Sequence, residues 1–144
     1  ERKFFYITYH TTIFLDYYLS NPVTNFKPTL PYTITDVSKL PSEAIDDVIP
    51  SKAYSKQEIL DYLSSIRKKC KKLIALATQD KLTERWIEVA ETNMYGLCPS
   101  TVIDFTVLEI LFYNFRHVQH HVGQLNFILR QKINMAPDWV AHVD

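Results

Sequence analysis

His117 and His121 stand four residues apart in a stretch, from Ser100 to about Lys132, that contains no proline and repeats apolar residues at helical spacing. Positions i and i+4 project from one side of a helix, about 40° apart around its axis. Two imidazoles so placed can hold one divalent ion through ring nitrogens at roughly 2.0–2.1 Å. Their stripe runs Ile103, Val107, Ile110, Asn114, His117, His121, so a face that is apolar at one end presents imidazoles at the other. His120 points about 60° away from His117 and is the weaker ligand candidate. Two histidines need a third ligand. An earlier helical stripe, Tyr6, His10, Ile13, Tyr17, offers His10. A single histidine on an apolar face is ordinarily a satisfied core residue, so a buried histidine cluster without metal stands as the alternative. Three histidines on one ion would leave a fourth position open, the geometry of a catalytic rather than a structural site. Valine follows His117, where a helical metalloprotease of the H-E-x-x-H type needs its glutamate base, so that chemistry is excluded.

The elements that must position these residues are foreshadowed by composition. The chain has 144 residues and only two glycines, Gly96 and Gly123. A typical domain of this length has about ten. Sheet-rich folds use glycine in hairpins and bulges, and dinucleotide and P-loop phosphate sites need clustered glycines. Both are disfavoured, and an all-α single domain is expected. Sixteen basic and sixteen acidic side chains balance, so no overall field favours nucleic acid or an anionic membrane. No apolar run approaches the ~20 residues of a membrane span, and no leader pattern is visible. Cys70 and Cys98 form no CxxC pair, and a reducing, cytoplasmic setting is expected.

Proline divides the chain. Residues 3–19 read as one helix. Five of the seven prolines then fall between residues 20 and 50, which reads as a long connection. Ser55 with Glu58 forms a capping box that opens a second helix. Its residues Ile59, Leu63, Ile66, Cys70, Leu73 and Ala77 make a bundle seam. Arg67, Lys68, Lys69, Lys71 and Lys72 read as its solvated face. A short helix is expected near Thr83–Glu91. In the last helix a second stripe, Leu108, Leu111, Phe115, Val118, Val122, Leu125, Leu129, reads as core. Gly123 lies mid-helix, where glycine costs about 1 kcal/mol relative to alanine. This suggests a close approach by a neighbouring helix or substrate, and predicts that Gly123→Ala disturbs the site.

The run Asn114-Phe115-Arg116-His117-Val118-Gln119-His120-His121-Val122-Gly123-Gln124-Leu125 resembles the closing-helix signature H-x-x-x-H-x-G-Q of the DinB/YfiT-like superfamily. The segment Tyr9-His10-Thr11-Thr12-Ile13-Phe14-Leu15-Asp16 is similar to the motif that supplies that family's first ligand, and Pro137-Asp138-Trp139-Val140 is similar to its tail. The resemblance implies an up-down four-helix bundle holding a divalent metal, often zinc or nickel, on His10, His117 and His121. It also implies that the family's first helix is missing from this chain, and that Val122 stands where an arginine is common. Relatives include S-transferases using small thiols such as bacillithiol or mycothiol. The implied function is therefore a metal-dependent thiol S-transferase or hydrolase acting on an electrophilic small molecule. A non-catalytic metal-binding stress or interaction protein is the other reading. Asn114, His120, Gly123 and Gln124 are candidates for orienting ligands or substrate. Asp16 is a weak candidate base on the far side of the first helix. The aromatic surplus of that helix (Phe4, Phe5, Tyr6, Tyr9, Phe14, Tyr17, Tyr18) suggests a homodimer.

Less chemistry is expected elsewhere. Cys98 precedes Pro99 and Ser100 at an expected helix start, where a dipole would favour thiolate. Cys70 reads as core, and His142 as exposed. Trp86 and Trp139 carry no functional reading.

Overall fold

The computed structural model describes residues 1–138 and is mostly helical. Its elements are α1 (Arg2–Tyr18), β1 (Tyr32–Ile34), β2 (Val48–Pro50), α2 (Lys56–Ala75), α3 (Gln79–Thr83) and α4 (Val107–Ile133). Local chemistry sets the ends of the long helices. Ser55 accepts from the Glu58 amide while Glu58 returns a bond to the Ser55 amide, and Thr106 and Glu109 repeat the arrangement at α4. Asn134, in the left-handed conformation with φ 51°, terminates α4. Trp139, Val140 and His142 lie outside the described residues.

α1 is the central element. It packs most broadly on α4 and also on α2 and β2, burying Ile7, Tyr9, Ile13, Phe14, Tyr17, Tyr18 and Leu19. Trp86 completes the core, its indole donating to the Ser20 carbonyl at 3.0 Å. The aromatic surplus of α1 is thus largely used inside the chain, with Phe4, Phe5 and Tyr6 half-buried.

Several expectations need correction. The proline-rich connection is not featureless, because β1 and β2 pair antiparallel with Thr33 opposite Ile49. The fold is therefore helical with a small sheet rather than all-α. The short helix lies at Gln79–Thr83, and only a single 3-10 turn forms at Val89–Glu91. Residues 100–106 are not continuous with α4: a 3-10 turn at Ser100–Val102 precedes the Thr106 cap. Ala77 falls beyond the end of α2.

The largest correction concerns α4. The stripe read as core is covered only in part: Leu108 is 42% exposed, Phe115 62% and Val122 44%, while Leu111, Val118, Leu125 and Leu129 are half-buried. Val107, Ile110, Asn114 and His121 form the buried face instead. Periodicity identifies the apolar residues of a helix, but α1 covers only the face that carries the histidines.

Lys69 also departs from the solvated face. It pairs with the buried Asp16 carboxylate, donates to Ser20 Oγ at 3.1 Å, and shares Asp16 with the Tyr62 hydroxyl, which donates at 2.6 Å. Asp16 thus joins α1 to α2 and takes no part in the histidine site. Gly96 has φ +68°, as a turn glycine should.

Candidate metal centre

His10 is carried by the middle of α1, and His117 and His121 by successive turns of α4 against it. His10 Nε2 lies 3.0 Å from His117 Nε2, and His121 Nε2 lies 3.1 Å from the same atom. Nitrogens sharing a tetrahedral zinc at ~2.0–2.1 Å would stand ~3.3 Å apart, so the three are disposed as ligands of one ion. His10 and His121 are buried and His117 is half-buried. Burial, reinforced by neighbouring His10 and His121, pushes the His117 pKa down to about 3. Burial likewise lowers that of His121. Both rings are therefore neutral near pH 7, the state a metal requires of histidine.

The atoms behind the ligating nitrogens fix their orientation. His121 Nδ1 donates to Gln124 Oε1 at 2.8 Å, which leaves its Nε2 as a bare acceptor. Asp46 Oδ2 lies 2.8 Å from His10 Nδ1, a close contact short of hydrogen-bond alignment. The carboxylate favours the proton on that nitrogen and again leaves Nε2 bare. A neutral His117 can carry one proton on Nε2 and so satisfy one of its two neighbours. The remaining lone pair has no proton to meet. A divalent cation resolves the conflict, and the donor set fits one.

The other candidates separate clearly. Gln124 orients His121 directly. His120 stands one step further out, receiving a bond from Gln124 Nε2 at 3.2 Å. Asn114 is buried but donates to the Leu15 carbonyl at 3.1 Å, which ties α4 to α1 rather than orienting a ligand. At Gly123 the expected close approach of a neighbouring helix is corrected, since a Cβ built there meets nothing within 4 Å. No neighbouring helix approaches it. Gly123→Ala is accordingly expected to stabilise the metal-free protein by about 1 kcal/mol, seen as a higher urea midpoint with unchanged metal content. Cys98 precedes only a 3-10 turn, and burial raises its thiol pKa, as it does that of Cys70. The thiolate reading of Cys98 therefore loses its physical basis.

Asp46 is the residue beside the histidines that the sequence did not reveal. It lies in the connection before β2, where its Oδ1 also accepts from the Val48 amide at 3.1 Å. No spacing rule separates it from neighbouring Asp36 or Asp47. Asp46→Asn keeps the size but removes the charge behind His10, and should weaken metal binding roughly 10–100-fold. Competition titration with a chromophoric chelator would read that loss directly.

Two openings adjoin the centre. A cleft of about 280 Å³ is lined by Tyr113, Arg116, His117 and His120. A larger cavity of about 670 Å³ lies between α1, residues 44–45 and α4, and is lined by Lys3, Ile7, Ile45, Gly123, Gln124 and Phe127 among others. Among the described residues no helix is long and apolar enough to cross a membrane. In comparisons with known proteins the chain matches no family model, no curated protein and no solved structure at a significant level, so its reading rests on the site itself.

Proposed function

We propose that this chain is a DinB-like protein that binds a divalent metal, zinc or nickel, on His10, His117 and His121, and acts as a metal-dependent thiol S-transferase or hydrolase on a small molecule. The observation carrying the metal assignment is the convergence of three Nε2 atoms, with the opposite ring nitrogen of His121 bonded to Gln124 and that of His10 facing the Asp46 carboxylate. The enzymatic reading is supported by the three-ligand donor set, which leaves a coordination position open, and by the cleft against His117. A divalent ion there supplies Lewis-acid activation of a thiol or a water at neutral pH. The protein's part is to hold the imidazoles neutral and oriented and to receive the electrophile beside them.

The test is turnover of monochlorobimane or an epoxide by zinc- or nickel-loaded protein with a panel of small thiols, alongside ester hydrolysis without thiol. Saturable turnover that disappears on chelation supports the proposal. No turnover under any of these conditions overturns the enzymatic reading and leaves a metal-binding stress or interaction protein.

A homodimer belongs to the same proposal. The exposed side chains Leu108, Phe115 and Val122 on the outer face of α4 support it, because apolar side chains concentrated on one helix face are characteristic of an association surface. Light scattering at micromolar concentration is expected to give twice the chain mass, and Phe115→Glu to halve it. A monomeric mass for the unaltered chain would end this part of the reading.

A further inference from the structure

The cleft beside His117 contains a cation that the metal site does not use. The Arg116 guanidinium carbon lies 5.5 Å from the Tyr113 ring centre, and the Tyr113 ring stands parallel to that of His117, 9° apart in plane with centroids at 6.4 Å. The guanidinium is thus held against the cleft wall by an aromatic face. Among the described residues no carboxylate pairs with it.

His120 adds a donor. Gln124 accepts from His121 through Oε1, so its amide nitrogen is turned toward His120 Nε2. His120 Nε2 must then accept, which places the ring proton on Nδ1. The chain of bonds from His121 to His120 therefore prepares an N–H donor on a residue lining the same cleft as Arg116. A guanidinium fork and one imidazole N–H suit a single carboxylate.

His120 also lines the 670 Å³ cavity, whose walls include Ile7, Ile45, Phe127 and Ile128. The absence of a side chain at Gly123 keeps part of its α4 wall open. The two openings follow one another along α4 with His120 in the lining of both, an order that matches a molecule charged at one end and apolar along the rest.

We propose that Arg116 and His120 form a head-group subsite for the carboxylate of an amphipathic small molecule whose apolar body occupies the cavity beside Gly123. This deepens the metal-centre reading by naming a substrate class, and it rests on that reading for where the reacting atoms lie.

Octanoate is the probe, titrated by calorimetry into the metal-free and zinc-loaded protein, with octan-1-ol as the uncharged control. Saturable octanoate binding is expected, at least about tenfold tighter than octanol. Arg116→Gln and His120→Leu should each weaken octanoate about tenfold without changing helical circular dichroism, and Arg116→Gln should also leave zinc content unchanged. Gly123→Leu should weaken octanoate and octanol together, because it fills the space for the chain. Octanoate binding that neither head-group variant alters, or octanol binding as tightly as octanoate, would overturn the proposal. Zinc failing to bind would defeat the metal reading alone, since the metal-free titration still reports on the carboxylate subsite.

Discussion

Replacing His121 by alanine is expected to remove stable binding of a divalent ion while leaving the helices intact. The unaltered protein should hold one ion per chain by elemental analysis after gel filtration. His121→Ala removes a nitrogen already aimed at the centre and, with it, the only ring that Gln124 orients from the ligand side. Loss of an outer-shell partner typically costs 10–100-fold in affinity, so loss of a ligand should exceed about 100-fold. A thermal readout gives the same answer independently. With free metal at 100 times its dissociation constant, the unaltered protein gains about 2.7 kcal/mol, which is roughly 8 °C in Tm for a domain of this size. His121→Ala should show almost none of that rise. Anomalous scattering at the zinc and nickel edges would place and identify the ion. Equal metal content in the two proteins would eliminate the ligand assignment.

The second large effect lies away from the metal. Lys69→Met should destabilise the protein by about 3 kcal/mol, because it leaves the buried Asp16 carboxylate with the Tyr62 hydroxyl but no cation. An exposed ion pair would be worth no more than about 1 kcal/mol. The difference comes from burial: the Asp16 side chain is only 4% exposed, and its charge cannot be returned to water. Asp16→Asn in the Lys69→Met background should recover part of the loss, giving a double variant less destabilised than the sum of the single ones. Urea unfolding measures all three. A cost below about 1 kcal/mol for Lys69→Met would show that the pair behaves as a surface bridge.

How far the sequence reached depends on how local each signal is. The capping box at Ser55 is a four-residue pattern, and α2 begins where that pattern places it, whereas α4 begins at the equivalent box of Thr106 rather than at Ser100. The histidine pair on α4 is equally local, and His10 was found because it interrupts an apolar stripe. Leu108, Phe115 and Val122 of α4, read as core, were misread for the complementary reason. Amphipathic spacing reports which side chains are apolar, whereas their burial depends on where another element lies. Lys69 was misread in the same way, as one cation in a run of five, because its partner is 53 residues distant. β1 and β2 are three residues each and rich in neither alternation nor glycine, so their pairing leaves little trace in composition. Asp46 reaches His10 only because that pairing returns the connection to α1, and no spacing rule could anticipate it.

The histidine triad joins chain segments of very different separation. His117 and His121 are four residues apart, and His10 and His117 are 107 apart. An ion held by all three is therefore a cross-link closing a loop of most of the chain. The α4 pair alone offers two ligands to any helical fragment, but the third arrives only when α1 has docked. Closing a loop of this length is entropically costly for an unfolded chain, so the complete ligand set exists in the folded state and scarcely at all outside it. The free energy of the last coordination bond then acts as folding free energy. Removing the ion would loosen the contact between the first and last helices before it disturbed either helix alone. Hydrogen exchange should record that order, with protection lost first in the α1 turn around His10 and in the segment around Asp46.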